Sequence, residues 1–140
     1  MLAERVLSDF EGRWSVARQI VHDEGPEAGF SGVAQWARAK GGMSYVEEGK
    51  LQVGTLTPMH AQRSYFWDEA LNVWFDDGRF FHAVPVRGGE TKHWCDPDSY
   101  HVVYNFENWP RFETVWSVTG PKKAYRMTTV YTPLEGNPLA

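Results

Sequence analysis

The first regular pattern in the chain is an alternation of bulky and polar side chains over residues 12–22, GRWSVARQIVH. Successive side chains of a β-strand point to opposite faces. The bulkier face carries Trp14, Val16, Arg18, Ile20 and His22. Because this face is also the more apolar one, we expect it to point inward. It then carries Arg18 and His22 into the interior, where an unpaired charge is costly.

Strand-like alternation continues along the chain after one short N-terminal segment. Residues 2–10 place Leu2, Val6, Leu7 and Phe10 at helical spacing and predict a short helix. Beyond it, runs of Val, Tyr, Trp, Phe and Thr alternate with polar residues and are separated by turn residues, which predicts an antiparallel meander. We expect about ten strands, at 12–24, 28–39, 42–47, 50–57, 60–68, 71–76, 79–86, 99–107, 112–119 and 124–132.

The strongest turn signal is Asp-Gly at residues 77–78. Glycine tolerates the positive φ that a two-residue hairpin turn requires. Such a turn pairs Val73 with His82 and places His82 on the inner, apolar face. Trp74 and Phe81 are then expected on the outer face. An exposed aromatic wall of this kind often marks a partner surface, which indicates a homodimer contact as one use of it.

Three further segments define the connections between strands. The run GPKK at 120–123 predicts a hairpin with Val118 opposite Tyr125. Glu-Gly at 48–49 predicts another turn, and residues 87–98 are expected to form an irregular connection. A meander of this length is best stabilised by closing into a barrel, because closure removes unpaired strand edges.

The expected fold is therefore all-β, an antiparallel up-and-down barrel of about ten strands with the short helix over one mouth. A chain of 140 residues is most economically one domain, 1–140. A barrel of this size can enclose a ligand cavity.

Composition and charge exclude several classes of partner. The net charge is −4 and there is no Lys/Arg run, so we expect neither nucleic acid nor an anionic membrane surface as a partner. Cys95 is the only cysteine, which rules out an intrachain disulfide. No apolar run has the length of a membrane span and the N-terminus does not resemble a secretion signal. These features favour a cytoplasmic protein.

The opening of the first strand resembles a known class of barrels. Gly-Arg-Trp at 12–14, following a short helix, is similar to the Gly-x-Trp opening of lipocalins and related calycin barrels. The segments FEGRWSVARQIVH, DDGRFFH and VTGPKKAYR resemble the bacterial domain-of-unknown-function family 6314 along nearly the full length. The resemblance implies a lipocalin-like barrel, and it implies no activity, because none is established for that family.

Arg18 and Arg63 are the inward-facing residues with the clearest chemical requirement. Arg63 joins the inner face because the loop at 68–70 is predicted to set Tyr65 opposite Val73. A guanidinium has five donors and keeps its charge, so it needs a carboxylate, water or a bound anion. Few carboxylates fall on the predicted inner faces away from turns, which favours a bound anion.

Two interpretations of these arginines remain open. In the first, they bind the carboxylate or phosphate of a small, partly apolar ligand inside the barrel, and tyrosine hydroxyls add hydrogen bonds. In the second, they reach solvent at the rim or pair with acidic residues elsewhere in the barrel. The first interpretation predicts the ligand-binding residues Arg18, Arg63, Tyr65, Tyr104, Trp116 and Tyr131.

The histidines suggest an alternative function on the same barrel. His22 and His82 are candidate acid–base residues for an enzyme that acts on a small organic acid. Residues 93–96, HWCD, contain possible zinc ligands, but without a second cysteine they make no closed four-ligand set. We therefore expect neither a metal nor a cofactor. A third possible function is a protein-interaction module on the outer wall of Trp74 and Phe81.

Overall fold

Ten antiparallel strands follow one short 3-10 helix in residues 3–137, the part of the chain that the computed structural model describes. The 3-10 helix covers Leu7–Phe10. The strands are β1 Gly12–His22, β2 Ala28–Ala39, β3 Gly42–Val53, β4 Met59–Asp68, β5 Asn72–Phe75, β6 Phe80–Ala83, β7 Gly89–Cys95, β8 Asp98–Asn105, β9 Phe112–Gly120 and β10 Lys123–Pro133. From β1 to β6 and from β7 to β10 each strand pairs with the next, and β1 also pairs with β10.

The sheet curls into a nearly closed barrel with a seam between β6 and β7. These two strands lie close in space, but they are the two ends of the hydrogen-bonded strand order. The predicted all-β antiparallel barrel of about ten strands is confirmed. The C-terminal hairpin also has its predicted register, with Val118 opposite Tyr125 and Trp116 opposite Met127.

One departure from the predicted strand boundaries lies at residues 48–49. The predicted turn there is wrong, because β3 continues through it and joins the third and fourth predicted strands. Gly49 lies opposite Gly32 on β2, and a Cβ atom on Gly49 would come within 2.2 Å of the Ser31 carbonyl oxygen. These glycines therefore allow β2 and β3 to approach each other closely. In the sequence alone, the glycine at position 49 is indistinguishable from a turn residue.

The second departure is β7, which occupies most of the connection predicted to be irregular, 87–98. It pairs with β8, from Gly89 opposite Tyr104 to Cys95 opposite Asp98. The sequence of β7, GETKHWC, is polar, as is common for an edge strand with one face in solvent. Trp94 is its one large apolar residue, and it points into solvent, so the pattern alone did not identify the strand. The first departure removes one predicted strand and the second adds one, so the number of strands remains ten.

The N-terminal helix is shorter than the predicted range 2–10, and Leu2 lies outside the described residues. Its last residue, Phe10, is fully buried and closes one end of the barrel. The Phe10 ring lies 5.1–5.6 Å from the rings of Trp36, Trp67, Trp109 and Phe112. No helix in residues 3–137 is long and apolar enough to cross a membrane.

A β-bulge in the β5–β6 hairpin decides which aromatic rings point inward. Val73 pairs with His82 as predicted, but the register then shifts and Trp74 pairs with Phe80. The bulge turns Phe81 inward, where it is 0% exposed, while Phe80 is 42% exposed. The prediction that Phe81 lies on the outer wall is therefore wrong, and it contributes nothing to a dimer surface. The outer neighbour of Trp74 is Phe80, at a ring distance of 5.4 Å.

Candidate functional site

All six predicted ligand-binding residues meet around one small cavity in the lumen. Its volume is about 30 Å³, room for about one water molecule. Aromatic side chains fill the space around it; the Phe81 ring, for example, packs 4.5 Å from Phe75 and 5.1 Å from Trp116. The predicted residues that line the cavity are Arg18, Arg63, Tyr65, His82, Tyr104, Trp116 and Tyr131.

His22 does not reach this cavity. It is the last residue of β1 and is exposed, with its ring 5.6 Å from that of Tyr125. It lines a surface cleft together with Asp23 and Glu24. Alternation assigned His22 to the same face as Arg18, but a strand longer than the core carries its last residues beyond the enclosed part of the barrel. The structure therefore separates the two candidate histidines.

All three nitrogen atoms of the Arg18 guanidinium donate hydrogen bonds to other side chains of the protein. Its Nη1 and Nη2 atoms donate to Glu47 Oε2 at 2.5 Å and Oε1 at 2.9 Å, and its Nε atom donates to Thr129 Oγ1 at 2.8 Å. The side chains of Arg18 and Glu47 are 6% and 3% exposed. The predicted role of Arg18 in binding an external anion is therefore replaced by an internal partner, the second of the two interpretations. Glu47 was missed because it lies beside the segment 48–49 that resembles a turn, although alternation from Tyr45 places it inward.

A chain of hydroxyl groups extends the Arg18–Glu47 pair. The Tyr45 hydroxyl donates to Glu47 Oε1 at 2.5 Å and lies 3.0 Å from the Tyr131 hydroxyl. Because the single hydroxyl hydrogen of Tyr45 is given to the carboxylate, Tyr131 is the donor to Tyr45. Burial raises the pKa of both tyrosines, so both are neutral. The hydroxyl hydrogen of Tyr131, a predicted ligand residue, is thus already used inside the protein.

Glu47 is ionised in this network. Burial opposes its ionisation, but the hydrogen bonds and the charge of Arg18 outweigh burial and lower the pKa of Glu47 below its ordinary value of 4.5. Arg18 keeps its charge for the same reason. The pair therefore adds no net charge to the lumen.

His82 forms a second buried pair, with Tyr104. Its Nε2 atom lies 2.8 Å from the Tyr104 hydroxyl. Burial, with a smaller contribution from the charge of His93, lowers the pKa of His82 to about 3. His82 is therefore neutral at physiological pH and poorly matched to proton transfer near pH 7, where an effective catalytic pKa lies close to the working pH.

Arg63 differs from Arg18 because it has no ion-pair or hydrogen-bond partner in residues 3–137. It is exposed at its end of the lumen, and its guanidinium carbon lies 5.9 Å from the centre of the Trp116 ring. Tyr65, two residues further along the same face of β4, has a hydroxyl that likewise makes no hydrogen bond within the described part of the chain. Burial raises the pKa of Tyr65 to about 12, so this hydroxyl is a neutral donor.

The inward orientation of Arg63 was predicted correctly, although the predicted register between β4 and β5 was wrong. Tyr65 lies opposite Phe75, where the sequence predicts Val73. A shift of two residues leaves every side chain on its original face, because side chains alternate with a period of two. The error in the predicted loop at 68–70 therefore left Arg63 and Tyr65 on the inner face.

Residues 93–96 do not form a metal centre with other residues of the described chain. Across residues 3–137 no group of three or more His, Cys, Asp or Glu side chains is close enough to hold a metal ion. The Cys95 sulfur instead accepts a hydrogen bond from Arg79 Nη1 at 3.5 Å, and the His93 ring packs against Phe80 and Phe81 at the seam.

Comparisons with known proteins agree with this architecture. A search of curated proteins finds no match to the sequence. Among solved structures, the S-type phycobiliprotein lyase CPES from Guillardia theta is similar, with a TM-score of 0.61 and 7% identity over 92% of this chain and 90% of that one. At this identity the likeness supports the fold alone. The model of a family of unknown function, DUF6314, matches residues 10–133, and the chain therefore belongs to this family.

Proposed function

We propose that this barrel binds a small organic anion with an apolar body at the Arg63 end of its lumen. Arg63 and Tyr65 provide the donors for the anionic group, and Trp116 provides an aromatic surface for the body. The observation that carries the proposal is the contrast between the two lumenal arginines. The three donor nitrogens of Arg18 are occupied by the protein, whereas Arg63 has no acceptor among residues 3–137.

The charge balance of the lumen supports an anion. The charged residues that line the cavity are Arg18, Glu47 and Arg63, and the first two neutralise each other. His82 is neutral, since its pKa is lowered to about 3. Arg63 therefore leaves one positive charge at this site, in a chain whose net charge is −4. A forked guanidinium beside a hydroxyl donor suits a carboxylate.

The size of the cavity limits how the ligand is placed. A volume of about 30 Å³ admits one small group and excludes an aromatic ring or an alkyl chain. The body of the ligand must therefore lie toward the exposed end of the lumen, or move the side chains that surround the cavity. Tyr65 and Trp116, which are half-buried there and 6.4 Å apart by ring centres, are suited to cover an apolar body.

The test is calorimetric titration with a defined probe, 4-isopropylbenzoate, which combines a carboxylate with an apolar body. We expect saturable binding that weakens about tenfold or more in Arg63→Gln, because a charge-assisted hydrogen bond contributes roughly 1.5–3 kcal/mol. Arg126→Gln is the matched control, since Arg126 is an exposed arginine on β10 outside the cavity lining. Equal affinities of Arg63→Gln and the parent protein would refute the proposal.

A further inference from the structure

Two buried polar nitrogen atoms belong to residues of the cavity wall and have no hydrogen-bond partner. They are Nε1 of Trp36 and Nδ1 of His82, on side chains that are 1% and 2% exposed. In residues 3–137 the same is true of one other buried side-chain atom, Nε of Arg5, which does not line the cavity. A buried polar group without a partner has lost its hydrogen bonds to water and has gained none within the protein, which is energetically unfavourable. The orphaned groups are thus concentrated around the cavity.

Trp36 lies at the inner end of the lumen. Its ring packs 5.5 Å from Phe10, which closes that end of the barrel, and 4.6 Å from Tyr45. In the sheet Trp36 pairs with Tyr45, and Tyr45 pairs with Tyr65. The cavity wall therefore runs from Trp36 to Tyr65 and Arg63, the residues proposed to bind the anionic group.

The chemistry of Trp36 defines what this end of the cavity accepts. An indole nitrogen is a donor only, so its partner must be an acceptor. A second anionic group would be unfavourable here, because the other cation of the cavity wall, Arg18, is already paired with Glu47. The free volume of about 30 Å³ has room for a single oxygen atom and its immediate substituents.

We infer that the ligand carries, besides its anionic group, an uncharged oxygen acceptor that receives a hydrogen bond from the Trp36 indole in the cavity. His82 Nδ1 is on the same cavity wall, and it donates to the same oxygen in the tautomer whose Nε2 atom accepts from the Tyr104 hydroxyl. This inference rests on the proposed function, with the ligand body lying between Arg63 and Trp36 and displacing the side chains that surround the cavity. It adds the class of ligand, an organic anion with a carbonyl or ether oxygen at its far end.

A matched pair of probes tests the inference. 4-Acetylbenzoate and 4-isopropylbenzoate have nearly the same size, and they differ in that a carbonyl oxygen replaces one methyl group. We expect the parent protein to bind 4-acetylbenzoate about tenfold more tightly, the effect of one buried hydrogen bond of roughly 1.4 kcal/mol. Trp36→Phe, which keeps an aromatic ring and removes the donor, should abolish this preference. Trp94→Phe is the control, because Trp94 is 63% exposed.

A second measurement needs no variant that could fail to fold. In the ¹⁵N-labelled parent protein, the indole N–H signal of Trp36 should move downfield with 4-acetylbenzoate and not with 4-isopropylbenzoate. Equal affinities for the two probes, a preference retained in Trp36→Phe, or an unmoved Trp36 signal would each overturn the inference while leaving the proposed function standing. If neither probe binds the parent protein, both the inference and the proposed function fail.

Discussion

Arg18 on β1 and Glu47 on β3 form a buried, two-pronged ion pair that spans the strand between them, β2. Arg18 pairs in the ladder with Phe30 and Glu47 with Ala34, so the residue between these two on the inner face of β2 is Gly32. The missing side chain at Gly32 lets the backbone of β3 come close to β2 at this point, because a Cβ atom on Gly32 would clash with the Glu48 carbonyl group.

Removing one member of this pair should be strongly destabilising. We expect Glu47→Gln to lower the free energy of unfolding by about 3–5 kcal/mol, because it leaves the Arg18 charge buried without its counter-charge. Urea unfolding followed by circular dichroism measures the loss. Glu48→Gln, at an exposed neighbouring position, should change stability by less than about 0.5 kcal/mol.

Replacing both members should restore much of that loss. The double variant Arg18→Met, Glu47→Leu removes both buried charges together, and buried ion pairs are often replaced by apolar residues at little cost. We expect it to be more stable than Glu47→Gln alone. A double variant that is less stable than the single one would show that the network with Tyr45 and Thr129 contributes more than the charge pair itself.

His82 should make stability depend on pH below neutrality. Its pKa is about 3 in the folded protein and near 6.5 when unperturbed. The unfolded chain therefore takes up a proton as pH falls below 6.5 while the folded chain does not, so stability is full above pH 6.5 and declines as pH falls toward 3. The expected slope is about 1.4 kcal/mol per pH unit.

Comparison of variants between pH 6.5 and 5 isolates this effect from Glu47, whose pKa lies below 4.5. His82→Gln should remove most of the slope in denaturant unfolding and leave the part due to His93, whose pKa is also lowered by burial. His60→Gln, at an exposed position, should retain the full slope. A parent protein with no slope in this interval would mean that His82 is protonated in the folded state.

The bulge in the β5–β6 hairpin predicts opposite outcomes for two adjacent phenylalanines. Phe81→Ala should cost about 3–5 kcal/mol of stability, because it empties a fully buried position packed between Phe75 and Trp116. Phe80→Ala should cost less than about 1 kcal/mol, since Phe80 is 42% exposed. The reverse ranking in thermal or urea unfolding would indicate a regular hairpin without the bulge.

Two glycines of β2 provide a matched test of strand approach. A Cβ atom on Gly32 would come within 2.1 Å of the Glu48 carbonyl oxygen, whereas the nearest atom to a Cβ on Gly29 is 3.8 Å away. We expect Gly32→Ala to destabilise the barrel by about 4 kcal/mol or more and Gly29→Ala to be nearly neutral. Similar unfolding midpoints for the two variants would contradict the close pairing of β2 with β3.

Side-chain alternation was sufficient to predict the all-β barrel and the inner faces of β1, β4 and β10. It also placed Arg18, Arg63 and Tyr65 inside, and it did so even where the predicted register was two residues off. The reason is that a period of two is a local property of an extended chain and does not depend on which strand lies alongside. Where a glycine served strand packing rather than a turn, as at Gly49, local patterning failed.

Contacts between distant parts of the chain settled how the inward-facing residues are used. Glu47 lies 29 residues from Arg18 and Thr129 lies 111 residues away, so the sequence pattern held no sign that they would satisfy the guanidinium. Alternation says which face a side chain takes, but the depth of His22, the inward turn of Phe81 and the space left in the lumen follow from packing in three dimensions. Tertiary contacts likewise left Arg63 without an ion-pair contact. Strand pairing places the ionised Glu47 opposite Arg63, but both carboxylate oxygens of Glu47 are bound to Arg18.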